Sequence, residues 1–151
     1  IPVLVDEDGT TLPDSNAILV YLARRYDASN QWLPDDAIGQ ARVQRWLSVA
    51  AGELAYGPAA ARLVTRFGVP INQDERLAVA TRLFGWLQAH LAKNDWLALD
   101  RPTLAELAMY AYLVLAPEGG FDPKPYPAVA RWLARIEALP GFVPMQRSAG
   151  L

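Results

Sequence analysis

Strand-forming sequence is confined to the first twelve residues of this 151-residue chain, and this restricts the folds open to it. The run 1–5 (Ile-Pro-Val-Leu-Val) is β-branched, 6–9 is an acidic turn that ends in glycine, and 10–12 can pair back as a second strand. Strong helix formers dominate the rest, since the chain contains 25 alanines and 21 leucines. A two-stranded hairpin is marginal in water by itself, so it must pack against other elements. We therefore predict a mainly α-helical protein that opens with a small strand-strand-helix unit.

The chain divides into three segments by composition. Asp14 or Ser15 is suited to cap a helix that carries apolar residues at helical spacing to about residue 26. Residues 27–36 are rich in Asp, Ser, Asn and Pro, which is typical of a linker. We predict a β-β-α unit over residues 1–26, a linker over 27–36 and a helical domain over 37–151.

Apolar residues recur at helical spacing throughout the predicted helical domain. We expect its first helix to begin near Asp36 and to break or kink at Gly57-Pro58, because proline lacks the amide donor and clashes with the preceding turn. The most apolar helix should lie at the centre of the bundle. The predicted helical segments beyond the break are 59–67 (stopped by Gly68), 73–93, 103–116, which is the central one, and 128–139.

Composition argues against several classes of protein. The formal net charge is −2, the pI is about 5.3 and the basic residues are scattered, so we expect no nucleic-acid or anionic-membrane surface. There is no cysteine, which removes disulfides and thiolate sites from this chain. The longest uncharged stretch, 107–117, is far shorter than the roughly 20 apolar residues of a membrane span. The acidic clusters lack the ligand spacing of a calcium loop, and we predict no metal site.

Two local patterns suggest ligand binding. A serine at a helix N-terminus offers a hydroxyl and amides beside the positive end of the helix dipole, which suits a carboxylate, and a neighbouring aspartate suits an ammonium group. Asp14-Ser15 could therefore bind the amino-acid end of a zwitterion, although helix capping alone would also explain the pair. Pro2 heads a strand, either at a cis turn whose neighbouring backbone faces a ligand or as an ordinary edge-strand proline.

A third pattern, Thr103-Leu-Ala-Glu106, has the spacing of a capping box, which stabilises a helix N-terminus. Together the ordered motifs resemble those of the cytosolic glutathione transferases, particularly the bacterial type. These proteins have a thioredoxin-like N-terminal domain followed by an all-helical domain. The segments that carry the resemblance are 1–4 (Ile-Pro-Val-Leu), 14–22 (Asp-Ser-Asn-Ala-Ile-Leu-Val-Tyr-Leu), 46–48, 57–58, 102–108, 126–133 and 139–142.

The resemblance implies a fold, a ligand and a location. Residues 1–26 would be the second half of the thioredoxin-like, glutathione-binding domain. Pro2 would be the family's cis-proline, with the Ile1 backbone pairing with the cysteinyl part of glutathione. Ser15 would bind the γ-glutamyl carboxylate, with Asp14 near its ammonium group. The resemblance also implies a cytoplasmic homodimer that acts in detoxification, with glutathione as co-substrate and no metal.

The implied reaction is conjugation of glutathione to a small electrophile, or reduction of one. Tyr56, Arg62 and Tyr110 are candidates for the electrophile pocket between the domains, and simple packing is the alternative for each. In this family the residue that activates the thiol lies upstream of the cis-proline. We therefore assign no residue of this sequence to thiol activation, leave the catalytic residue unknown, and expect little activity from the sequence alone. The alternative is a non-catalytic binding or scaffold protein with the same fold.

Overall fold

The computed structural model describes residues 2–146, and its first elements form a small sheet and a helix. Strands β1 (Val3–Val5) and β2 (Thr11–Pro13) pair antiparallel, with Leu4 opposite Leu12. The turn between them places Gly9 at φ 84°, in the left-handed region that glycine adopts without strain. Helix α1 (Ser15–Tyr26) follows directly. The predicted strand-strand-helix unit is therefore present.

The longest helical stretch combines three segments without a break. Helix α2 (Ala37–Val49) continues as a π-helical segment (Ala50–Ala59) and then as helix α3 (Ala60–Phe67). The predicted break at Gly57-Pro58 is absent, because Pro58 lies inside the π segment and the backbone on both sides stays right-handed helical. A wider hydrogen-bonding register accommodates a residue without an N–H donor.

Three further α-helices complete the described fold. They are α4 (Gln73–Leu91), α5 (Leu104–Val114) and α6 (Pro127–Glu137). Each lies where the apolar spacing predicted a helix, and the differences at their ends amount to one or two residues. A short 3-10 turn (Ala116–Gly119) after α5 was not predicted. The mainly helical fold class is confirmed.

Helix α5 lies in the core, as its all-round apolar character predicted. Met109 and Leu113 are fully buried, and the carboxyl-bearing Glu106 is buried with them. The main cluster also takes in residues of α2, the π segment, α4 and α6. Its largest fully buried side chains are Trp46, Leu54, Leu83, Phe84, Leu87, Met109, Leu113, Val129, Trp132 and Ile136.

The segment 27–36 has neither helix nor strand, yet it packs closely against its neighbours. Leu33 is buried, and Trp32 accepts a main-chain hydrogen bond from Leu104 N at 2.9 Å. Arg24 of α1 forms an ion pair with Asp35. These contacts hold α1 against the start of α5. A second buried cluster, formed by Ala23, Leu33, Val43, Leu47 and Leu104, joins the small unit to the bundle.

Candidate functional site

The N-terminus of α1 has an unusual backbone geometry. Asp14 caps the helix with φ 77° and ψ 125°, and its Oδ1 accepts a hydrogen bond of 2.9 Å from Ala17 N. A positive φ is costly for a residue with a Cβ, on the order of 1–3 kcal/mol, and persists only where the surroundings fix it. Such strain is concentrated at ligand sites. Among the described residues Asn30 is the other non-glycine position with a positive φ, and only Asp14 of the two lies at a helix N-terminus.

Ser15 is the first residue of α1 and lies next to Asp14 on the surface. Among residues 2–146 its hydroxyl makes no hydrogen bond, so the group is open to a ligand. No acidic side chain lies in the first turn of α1 itself, so Asp14 at the cap is the acidic group next to the positive end of the helix dipole. An aspartate and a free serine hydroxyl side by side can bind an ammonium and a carboxylate of one ligand.

Asp14 opens onto a cleft of about 560 Å³ between the small unit and α2. Helix α1 and the end of β2 form one wall, and α2 with the first turn of the π segment forms the other. Gln44 and Ser48 line the second wall one helical turn apart, and Ser48 Oγ donates to the Gln44 carbonyl at 3.1 Å. The lining residues are Leu12, Asp14, Asn16, Ala17, Val20, Tyr21, Gln44, Leu47, Ser48 and Ala51.

One hydrogen bond crosses from α1 to α2 within this cleft. Asn16 Nδ2 donates to the Leu47 carbonyl at 3.0 Å, although the two residues are 31 positions apart. Sequence reasoning missed Asn16, Gln44 and Ser48 as cleft residues. Asn16 follows the Asp14-Ser15 pair directly, which is a usable signal, whereas nothing local marks Gln44 or Ser48.

Asp6, at the start of the hairpin turn, accepts hydrogen bonds from two tyrosines of α1. Tyr21 Oη lies 2.7 Å from Asp6 Oδ2, and Tyr26 Oη lies 2.7 Å from Oδ1. The Tyr21 hydrogen bond, followed by that of Tyr26, lowers the pKa of Asp6. The same bonds raise the pKa of both tyrosines. This cluster fixes the hairpin against α1 and thereby sets the position of Asp14.

Of the other predicted glutathione-binding residues, Pro2 is exposed immediately before β1. Ile1 lies outside the described residues, and so does the peptide bond that joins it to Pro2. Asp14 and Ser15 are brought together, as their adjacency requires.

The three candidates for the electrophile pocket have separate environments. Arg62 Nε forms an ion pair of 2.7 Å with Glu118 Oε2 in the 3-10 turn. Tyr110 is buried, and its hydroxyl donates to Glu137 Oε1 at 2.8 Å. Tyr56 is 64% exposed on the π segment. The structure does not bring these side chains together, and their assignment stays a prediction.

A second cavity, of about 790 Å³, lies between α2, the end of α4 and the loop 92–100. The Arg45 guanidinium carbon lies 4.9 Å from the ring centroid of Trp86 and 5.3 Å from that of Trp46. The ring of His90 contacts the edge of Trp46, and Trp46 Nε1 donates to the Leu97 carbonyl at 2.8 Å. These contacts pack the aromatic groups of α2 and α4 together.

The described part of the chain holds neither a metal-binding cluster nor a membrane-spanning helix. Residues 2–146 contain no group of three or more histidine, aspartate or glutamate side chains placed to hold a metal ion. No helix among them combines the length and apolar character needed to cross a bilayer.

The fold and the cleft define a class of protein, in which a β-β-α unit presents a strained helix N-terminus to a helical bundle. The family described as glutathione S-transferase, C-terminal domain, matches residues 58–140, more than half of the chain. Glutathione S-transferase verG from Clonostachys rogersoniana is 30% identical over 155 aligned residues, covering 93% of this chain and 64% of the relative.

Solved structures agree with these sequence matches. A glutathione S-transferase from Xanthobacter autotrophicus Py2 is 32% identical, with a TM-score of 0.86 over 95% of this chain and 70% of that one. A glutathione S-transferase from Pseudomonas fluorescens Pf-5 is also 32% identical, with a TM-score of 0.83 over 95% and 72%. The chain belongs to the glutathione S-transferase family. It spans about 64% of the length of the curated relatives that it matches first.

Proposed function

We propose that the protein to which this chain belongs is a glutathione transferase, and that Asp14 and Ser15 bind the γ-glutamyl end of glutathione. The observation that carries the proposal is the placement of the two side chains at the strained N-terminus of α1, where Asp14 lines the cleft. Membership of the family supports glutathione as the ligand. In this role Ser15 donates to the glutamyl carboxylate at the positive end of the helix, while Asp14 attracts the ammonium group.

The proposed reaction is attack of the glutathione thiolate on an electrophile, with formation of a carbon–sulfur bond and departure of the leaving group where there is one. Such enzymes lower the thiol pKa with a hydrogen-bond donor, which makes the thiolate available near neutral pH. We assign no described residue to that step. The chain contributes the γ-glutamyl subsite and both walls of the cleft. Its residues 1–26 act as the partial thioredoxin-like unit, 27–36 as the linker and 37–151 as the helical domain.

The proposal extends to assembly and location. We propose a homodimer located in the cytoplasm and active in detoxification, on the strength of family membership alone.

Isothermal titration calorimetry of glutathione into the chain tests the site. Ser15→Ala should weaken binding by about tenfold or more, because a hydrogen bond to a charged group is worth roughly 1.5–3 kcal/mol. Ser29→Ala, in the packed segment 27–36, is the matched control and should leave the dissociation constant unchanged. Equal affinities for the parent chain and Ser15→Ala would show that the site is assigned wrongly. Absence of binding by the full-length protein to which the chain belongs would favour a scaffold role.

Turnover of a generic aromatic electrophile provides a second test. The chain alone should show little or no conjugating activity, because the family's thiol-activating group is not among its assigned residues. Robust turnover by the verified 151-residue polypeptide would contradict this expectation.

A further inference from the structure

Asn16 occupies a singular position beside the proposed glutathione site. It follows Asp14 and Ser15, it is half-buried, and its side-chain amide donates to the Leu47 carbonyl at 3.0 Å. Among the described residues no other hydrogen bond joins α1 to α2. The one direct polar link between the ligand-binding turn and the helical bundle therefore lies next to the residues that would bind the ligand.

The acceptor in this link is a fixed point of the bundle. Leu47 is 3% exposed and packs with Val43 and Leu104 in the cluster that joins the two units. A main-chain carbonyl in the last turn of α2 moves little, because the helix and the buried side chain both hold it. The Asn16 hydrogen bond thus fixes the N-terminus of α1 relative to the buried interior of the bundle.

The positive φ of Asp14 requires a contact of this kind to maintain it. Its positive φ is maintained only if neighbouring contacts determine it, and its own cap bond reaches forward to Ala17. Asn16 lies between the two ends of that cap bond. Holding Asn16 in place therefore holds both Asp14 and Ala17, and with them the helix N-terminus that carries Asp14 and Ser15.

We propose that Asn16 is a positioning residue, which through its hydrogen bond to Leu47 holds Asp14 and Ser15 in the geometry that binds the γ-glutamyl group. The inference rests on the proposed function and deepens it, since it makes the helical bundle part of the glutathione subsite. Asn16 itself needs no contact with the ligand.

Two variants remove the hydrogen bond without adding charge. Asn16→Leu keeps the branching and the number of side-chain heavy atoms and Asn16→Ala truncates the side chain, so one remains informative if the other fails to fold. In calorimetric titrations with glutathione, each should weaken binding by about fivefold or more, the change expected for one lost hydrogen bond. Asn94→Ala is the matched control, because Asn94 Nδ2 also donates to a main-chain carbonyl, that of His90 at 2.9 Å, away from the cleft.

A double-mutant cycle separates positioning from general stability. If Asn16 acts through Ser15, then Asn16→Ala should weaken glutathione binding much less, by about twofold, once Ser15 is alanine. Full additivity, or unchanged affinity in both Asn16→Leu and Asn16→Ala, would overturn the proposal while leaving the glutathione site itself standing.

Amide exchange of the ligand-free protein provides a readout that does not depend on glutathione. The Ala17 amide, which Asp14 holds in the parent chain, should exchange several-fold faster in Asn16→Ala and at the parental rate in Asn94→Ala. Unchanged exchange at Ala17 would overturn the positioning role. If exchange rises but the parent chain binds no glutathione, the proposed function fails and the functional part of this inference fails with it.

Discussion

The Glu106 carboxylate accepts a hydrogen bond of 2.7 Å from Leu97 N, although Leu97 precedes the helix that contains Glu106. Its other oxygen accepts from Thr103 N at 2.8 Å and from Thr103 Oγ1 at 3.0 Å. The capping box therefore does more than start α5. It also fixes the loop after α4, and through it the Leu97 carbonyl to which Trp46 donates.

Replacing Glu106 by Gln should destabilise the protein by about 2–3 kcal/mol. An amide has only one acceptor oxygen, so its NH₂ group would face a main-chain N–H in the buried cluster. The free energy of unfolding in urea measures the loss. Glu75→Gln, at an exposed acid in the first turn of α4, is the control and should change stability by less than about 0.5 kcal/mol.

The free energies of unfolding of the parent protein and of Glu106→Gln should depend differently on pH. Burial raises the pKa of Glu106 above its ordinary value of 4.5, so the folded protein binds more protons than the unfolded chain just above pH 4.5. Stability contributed by Glu106 is therefore lost as pH rises through that window. The difference in unfolding free energy between the parent and Glu106→Gln should be larger at pH 4.5 than at pH 7. A difference that grows with pH would contradict the assignment.

The ion pair between Arg62 and Glu118 leads to a prediction that distinguishes a stabilising role of Arg62 from a role in the electrophile pocket. Glu118 is almost fully buried and lies in the 3-10 turn, so Arg62→Met should cost about 2 kcal/mol by removing the cation beside its carboxylate. Arg66→Met, one turn along α3 and exposed, is the control. If Arg62 instead served the electrophile pocket, the substitution would leave the unfolding midpoint unchanged and raise the KM for the electrophile in the active protein.

These examples show which parts of the structure could be read from the sequence. The Thr103-to-Glu106 box was predictable because both partners lie within one helical turn and the spacing itself is the signal. The partnership of Arg62 with Glu118 was not, since 56 residues separate them and neither is marked by its neighbours. Local patterns predict helices and caps, whereas contacts between distant segments depend on how those helices pack.

The residues of the candidate site were likewise only partly predictable from the sequence. Asp14 and Ser15 were identified from their place before an apolar helix, and the structure adds the left-handed backbone that no pattern of side chains predicts. The sequence also indicated that Pro58 does not fit a regular α-helix. The π-helical conformation of 50–59 depends on how this segment packs against α4 and α5, which local sequence does not predict. Gln44 and Ser48 face the cleft only because α2 packs beside α1.

The Asp6 cluster gives a prediction for the ionisation of two tyrosines. Asp6→Asn removes the carboxylate to which Tyr21 and Tyr26 donate, so the pKa of both hydroxyls should fall toward 10. Titration of ring carbons by NMR, with tyrosine labelled, resolves the two residues. Asp122→Asn, in the loop before α6, should leave both unchanged. Unaltered tyrosine pKa values in Asp6→Asn would show that the hydroxyls do not bond Asp6 in solution.

Two glycines should respond oppositely to alanine, because only one of them marks a close approach of main chains. A Cβ on Gly119 would lie 2.8 Å from Arg62 N and 3.1 Å from Ala61 C, so Gly119→Ala should separate the 3-10 turn from α3 at a cost of about 2 kcal/mol. A Cβ on Gly85, within α4, meets nothing within 4 Å, and Gly85→Ala should stabilise the protein by about 0.5–1 kcal/mol. Urea unfolding measures both changes. A Gly119→Ala variant as stable as the parent would mean that the turn and α3 are not in contact, which would also remove the basis for a buried Arg62–Glu118 pair.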